Sequence, residues 1–368
     1  MRILFTSGPM YGHVNTILPL ALAGRDAGHD VVVATGPELV AHVAAHGLAT
    51  WSIGWTHAAS GGRAALSPDY FVTTGRRRAV DLVPLAMAWA PDLVVHEEME
   101  LAGAVAAAVT GARHAIHGLG VMLPRWVWDG MAPVVTELAR PAHAAVFDAT
   151  YLRISPPSLP AESADQWADV RLLRPAFGRP AADERMTDEL AAFLAAGDDP
   201  VVHLTLGTVF HESPGVLATA LAGLRRLPVR VVVTRGPGVD PASLGSQPAN
   251  VLVVPYVPHA LLLPSCALVV SHAGAGIMFG ALTHGLPQLL LPQGADQPAN
   301  AAACVEAGVA EVLSPEELTT SAVADAAARL LADADVARRA AAIGAELAAM
   351  PGPDEVLRGL TDEAVAAA

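Results

Sequence analysis

Residues 271–300, "SHAGAGIMFGALTHGLPQLLLPQGADQPAN", set His272, Gly274 and Gly276 a short way ahead of Asp296 and Gln297. Glycines that follow an apolar run and open a helix let backbone N–H groups approach an anion, and the positive helix end favours it. His272 adds a polar side chain to that turn. Adjacent Asp and Gln supply an acceptor and a donor for neighbouring hydroxyls, the pattern a sugar presents. Each half has a plainer reading: the glycines as a tight turn, Asp296 as a helix N-cap. Both halves fall at the carboxyl ends of successive strands, where open α/β sheets bind ligands, and that shared position favours a ligand.

The elements that must position these groups are legible. "RILFTSG", "HVNTILPLALAGRDAGH" and "DVVVATG" read as strand, helix, strand, a βαβ unit that implies a parallel sheet buried on both faces. The pattern repeats more weakly in "PDLVVHE", "ELAGAVAAAVTG" and "ARHAIHGLG". Residues 153–200 are dense in Pro, Asp and Ala and read as the end of one domain and a linker. From Val201 the rhythm restarts with "VVHLTLGTV", "VRVVVTRG", "VLVVPYV", "ALVVSHAGAG", "LPQLLLPQ" and "VAEVL". The expected layout is an α/β domain over 1–178, a linker over 179–199, a second α/β domain over 200–350, and a helix over 351–368 that packs back on the first.

The totals agree with a globular enzyme-sized chain. Of 368 residues, 53% are hydrophobic and 16% charged, too apolar for disorder. With 36 acids against 22 bases the net charge is −14, which argues against a nucleic-acid partner or an anionic membrane surface. Every one of the 22 bases is Arg. Two cysteines, Cys266 and Cys304, cannot build a disulfide framework. The N-terminus lacks the features of a signal peptide and the apolar runs are too short to span a bilayer, so a cytoplasmic protein is expected. A homodimer is compatible with the composition and not demanded by it.

On residues 271–300, together with "LTLGTVF" at 204–210, "VPHALLLPSC" at 257–266 and the opening "RILFTSGPMYGHVNTILPLA", the chain resembles the UDP-glycosyltransferase superfamily. The likeness is to the actinobacterial enzymes that decorate macrolides, enediynes and other natural products, and it spans nearly the whole sequence. It implies the GT-B fold: two facing Rossmann-like domains with parallel sheets and an interdomain cleft, the acceptor held by the first and a nucleoside-diphosphate sugar (TDP or UDP) by the second. It implies diphosphate contacts at His272, Gly274, Ala275, Gly276 and Thr208, with Gly12 also on the donor, Val257 against the base, and Asp296 and Gln297 on the sugar. The family usually has Thr or Ser after the second glycine; here Ile277 follows, which keeps the backbone N–H and loses a hydroxyl.

The same resemblance makes His13, at the start of the first helix, the general base, held neutral by the positive helix end. Glu97 in "PDLVVHEEME" matches the place of the family's Asp partner, with Glu98 and Glu100 as neighbouring alternatives. The implied reaction is an inverting transfer of a deoxysugar to a hydroxyl of an apolar or aromatic acceptor, with no metal and no cofactor beyond the co-substrate sugar. Acceptor contacts are expected at His117, Trp126 and Trp128, and "GRRR" at 75–78 reads as a solvated face. A nucleotide-sugar 2-epimerase of the same fold would need acid and base residues around the ring, whose pattern is not seen. A non-catalytic auxiliary protein would be expected to lack His13 or the Asp-Gln pair. A dehydrogenase is disfavoured because "GPMYGH" is not a Gly-x-Gly-x-x-Gly fingerprint.

Overall fold

The computed structural model describes residues 1–56, 68–130, 148–160, 166–176, 185–207, 214–236 and 240–366. The chain divides into two compact units. Unit 1 is Met1–Pro156, Ala161–Pro175 and Met350–Ala368, and unit 2 is Pro157–Pro160 and Ala176–Ala349.

In unit 1, β1 (Arg2–Thr6), β2 (Asp30–Thr35), β3 (Ala49–Ser52), β4 (Leu93–Glu97), β5 (Arg113–His117), β6 (Thr150–Arg153) and β7 (Asp169–Leu172) form one sheet. Its order is β3-β2-β1-β4-β5-β6-β7 and every pairing is parallel. Strands covered on both faces need apolar runs, and β4 is buried at all five positions. The helices α1 (Tyr11–Asp26), α2 (Val40–Ala44), α3 (Pro68–Trp89) and α4 (Leu101–Thr110) connect the first strands. One face of the sheet packs Leu4, Val32 and Val94 against Ala79 and Leu82 of α3 and Ala102 and Val105 of α4.

Within residues 153–200, read from sequence as the end of the first domain and a linker, the structure adds the strand β7, which that reading did not name. The edge strand β7, "DVRL", is only half-buried throughout, so it carries no apolar run for a reader to find.

Unit 2 has β8 (Val201–Thr205), β9 (Arg230–Thr234), β10 (Val251–Val254), β11 (Leu268–Ser271), β12 (Gln288–Leu290) and β13 (Ala310–Val312). The order is β10-β9-β8-β11-β12-β13, again all parallel. Its helices are α5 (Asp188–Ala195), α6 (Pro214–Leu224), α7 (His259–Leu262), α8 (Ala275–Thr283), α9 (Gln297–Glu306), α10 (Thr320–Ala332) and α11 (Ala334–Ala349). Val202, Leu204, Val231, Val270 and Leu289 pack against α6 and α10 through Leu217, Leu221, Val323 and Leu330. The last helix, α12 (Pro353–Ala366), belongs to unit 1: Leu357 reaches the α1 backbone at Gly24, and Arg113 Nη1 donates to the Leu360 carbonyl at 3.0 Å.

Among the described residues no helix is long and apolar enough to cross a membrane. Cys266 and Cys304 are unbridged, and burial pushes both thiols up to about 12.

Each sheet reverses its strand order once, between β1 and β4 in unit 1 and between β8 and β11 in unit 2. Connections leave in opposite directions there, opening a crevice at the carboxyl ends of the strands. Helix α4 must lie close to the first of these points. A Cβ on Gly103 would collide with Thr6 Oγ1 and His96 Cβ. Gly to Ala inside a helix ordinarily stabilises by about 1 kcal/mol. Gly103→Ala is expected to reverse that sign and destabilise unit 1 by about 1–3 kcal/mol through overpacking. Urea unfolding checks it, and an unchanged or raised midpoint would refute the close approach.

Candidate active site

In unit 1 the first switch point brings His13 and Glu97 together. The β1–α1 loop runs Ser7 to Met10, and the extended Met10 (φ −134) starts α1 without a side-chain cap. His13, in the first turn of α1, directs Nδ1 to Glu97 Oε1 at 2.8 Å. Glu97, the last residue of β4, has no exposed surface. The Gly8 N–H donates to the same Oε1 at 2.9 Å and the Met99 N–H donates to Oε2 at 2.6 Å. Burial alone would raise the Glu97 pKa. The His13 ring and the two backbone donors outweigh it, and the carboxyl sits below its ordinary value. The tautomer that donates Nδ1–H to Glu97 is the one that would leave a lone pair on Nε2. The Phe71 ring stacks on His13, with centroids 6.4 Å apart and planes 19° from parallel.

The neighbouring carboxylates do other work. Glu98 accepts from the Leu119 N–H at 2.6 Å and the Tyr151 hydroxyl at 3.1 Å. Glu100 is the N-cap of α4, accepting from the Ala102 and Gly103 N–H groups, and it pairs with Arg78 Nε at 3.0 Å. Arg78 also donates to the Ser7 carbonyl. The "GRRR" stretch is therefore not a solvated face at its last residue: Arg78 is buried, drawn in by Glu100, while Arg76 stays exposed.

A recess beside this pair is lined by Gly8, Met10, Tyr70, Phe71, Thr74 and Met99, largely apolar. The acceptor residues expected from sequence separate. Trp128 is a core residue, 2% exposed and edge-on to Trp167 at 5.0 Å, so it does not wall an open pocket. Trp126 is 69% exposed. His117 faces Glu97 across the β4–β5 register but is buried, with Nδ1 donating to the Gly118 carbonyl at 2.7 Å. Burial lowers its pKa to about 4.

In unit 2 the second switch point gathers the loops that follow β8, β11 and β12. Gly274 is the N-cap of α8, and Ala275, Gly276 and Ile277 fill its first turn without a side-chain cap, so their N–H groups are the orphan donors of a helix start. The Ile277 side chain is 3% exposed and packs on Leu263, Val269 and Leu286; only its backbone faces the turn. Val257 is likewise committed to a core, with Val232 and Leu262. Thr208 lies outside the described residues, as does part of the expected 179–199 linker.

His272 lies between two glycines. A Cβ on Gly207 would come 2.6 Å from its Cε1, and one on Gly274 would collide with its Nε2. Burial lowers the His272 pKa to about 4, and its ring donates to the Thr205 backbone. The positive potential at this turn therefore comes from the helix start rather than from the imidazole.

Asp296 precedes α9 but its side chain does not cap it; Oδ2 accepts from Asn300 Nδ2 at 2.7 Å instead. Gln297 is 2% exposed, and its Oε1 accepts from the Gln293 N–H at 2.7 Å and the Gly294 N–H at 3.3 Å. Gln297 thus staples its own loop through its amide oxygen. Sequence reasoning missed Arg78, Phe71 and Asn300, and the last stood in the stretch that drew attention, four residues after Asp296 in a helix, a spacing that itself signals side-chain contact.

Comparison with known proteins agrees with this architecture. The model of the Erythromycin biosynthesis protein CIII-like N-terminal domain matches residues 71–250, and that of the C-terminal domain matches residues 207–362. The chain is 31% identical to 10-deoxymethynolide desosaminyltransferase of Streptomyces venezuelae, with 96% of this chain and 95% of that protein covered. It is 30% identical to TDP-daunosamine transferase DnrS of Streptomyces peucetius, with 97% and 95% covered. The crystal structure of glycosyltransferase VinC in complex with dTDP matches with a TM-score of 0.81 at 28% identity, covering 99% of both chains. Matched over both of its parallel-sheet units, the chain belongs to the EryCIII-like family of glycosyltransferases, which have the GT-B fold.

Proposed function

We propose that the chain is a cytoplasmic, inverting glycosyltransferase that moves a deoxysugar from thymidine diphosphate to a hydroxyl of an apolar natural-product aglycone. The thymidine nucleotide is supported by the dTDP bound to VinC and by the donor for which DnrS is named. The observation that carries the chemistry is the His13–Glu97 pair, an imidazole held in one tautomer by a buried carboxylate.

The steps follow from these groups. His13 Nε2 takes the proton of the acceptor hydroxyl, and the oxygen attacks the anomeric carbon on the face opposite the diphosphate. The new C–O bond forms as the bond to the phosphate oxygen breaks, the electron pair leaves with the diphosphate, and the configuration inverts. Glu97 stabilises the imidazolium formed on the way. The leaving charge meets the N–H groups of residues 275–277 and the positive end of α8. Asp296, with the Gln297 amide nitrogen, binds the sugar hydroxyls.

The defining experiment is incubation with TDP-sugars and a panel of macrolactone and polyketide acceptors, read by mass spectrometry; a glycosylated product is expected, and donor hydrolysis alone across the panel would remove the transferase reading. In the same assay His13→Ala is expected to lower kcat about 10²–10⁴-fold, the range for losing a general base, with the Kd for TDP unchanged. Wild-type turnover by that variant would end the base assignment.

A stability measurement tests Glu97 independently. The fold lowers its pKa, so the carboxylate stabilises the protein above its ordinary value of 4.5, and that contribution is lost as pH falls through the lowered one. Glu97→Gln should therefore melt below wild type at neutral pH, with the gap narrowing once pH drops under 4.5. A gap that stays constant into acid would mean the charge is not what Glu97 contributes.

A further inference from the structure

The loops that follow β11 and β12 meet at one side chain. Asn300 has no exposed surface and sits in the first turns of α9. Its amide nitrogen carries two hydrogens. One goes to Asp296 Oδ2 at 2.7 Å and the other to the Ala273 carbonyl at 3.1 Å.

This one donor is thus bonded to an acceptor in each loop. Asp296 has a helical backbone, φ −76 and ψ −10, whereas a side chain that caps a helix springs from an extended one, so the helix start does not orient this carboxylate. Ala273 is fully buried and takes φ +65, a left-handed conformation that L-residues rarely adopt. Its carbonyl belongs to the peptide that leads into Gly274 and the start of α8. Pinning that carbonyl sets the plane from which the N–H groups of residues 275–277 project.

A nucleotide-sugar presents a diphosphate and ring hydroxyls at a separation fixed by its covalent structure. We propose that Asn300 is a positioning residue for the donor: one amide group holds the sugar-binding carboxylate of Asp296 and the phosphate-facing turn at Ala273 in fixed register. The inference rests on the donor reading of this site given above. Asn300 itself touches neither sugar nor phosphate; it acts through the two groups it bonds.

Calorimetric titration with TDP and with TDP-glucose separates the two arms, since the ratio of the two Kd values isolates what the sugar adds. Asp296→Ala is expected to abolish that sugar increment and leave the Kd for TDP unchanged. Asn300→Ala is expected to abolish the increment and also weaken TDP about 3- to 10-fold, the scale of one hydrogen bond. Added to Asp296→Ala, it should weaken TDP further while leaving the ratio where Asp296→Ala put it. Melting temperature and circular dichroism accompany each variant, and if Asn300→Ala does not fold, Asn300→Leu, of similar branched shape and without the donor hydrogens, carries the same test. A wild-type-like Asn300 variant beside a disabled Asp296→Ala overturns this inference alone, as does an Asn300 loss that repeats in full on the ratio in the Asp296→Ala background. An Asp296→Ala protein that keeps the sugar increment overturns instead the reading of the site on which the inference rests.

Discussion

A carboxylate with no contact with water stays ionised only where hydrogen bonds replace its hydration. Glu97 meets that condition with donors from three segments: Gly8 after β1, His13 in α1 and Met99 ahead of α4. Leaving such a charge without one of its partners costs about 3–5 kcal/mol, so each segment is tied to the others by the same group. Gly8 is constrained twice over. It supplies its N–H, and a Cβ in its place would lie 3.1 Å from Glu97 Oε1 and 3.3 Å from His13 Nδ1. The orientation of the His13 imidazole is thus a property of the fold of unit 1, not of a loose side chain.

The same economy of placement appears in unit 2 in another form. Among the described residues, three that are not glycine take positive φ, and two of them, Ala273 and Ala295, stand in the loops after β11 and β12. Each costs about 1–2 kcal/mol. Asn300 bonds the first carbonyl, and Gln297 holds the loop that contains the second. Strain held at such positions keeps a loop in one shape before any ligand arrives.

Much of this was legible in the residues. The strands β1, β2, β4 and β8 to β12 are apolar runs because parallel strands are covered on both faces, and glycine turns at their carboxyl ends have a recognisable composition. The pairing of His13, in the first turn of α1, with Glu97, at the end of β4, was implied by the family resemblance and not by the strand pattern. The remainder depended on partners far apart in sequence. Arg78 reads as one of three solvated arginines until Glu100 is seen beneath it, and Trp128 reads as a pocket wall until Trp167 is found against its ring. Gln297 illustrates a different limit. Its residue type drew attention, but that its amide oxygen is taken up by the Gln293 N–H is decided by the local backbone, which the sequence does not show.

The confinement of His272 has a practical side for anyone wishing to redesign this protein. With hydrogen as the sole substituent tolerated at 207 and 274, combinatorial libraries that randomise either position would mostly sample jammed rings.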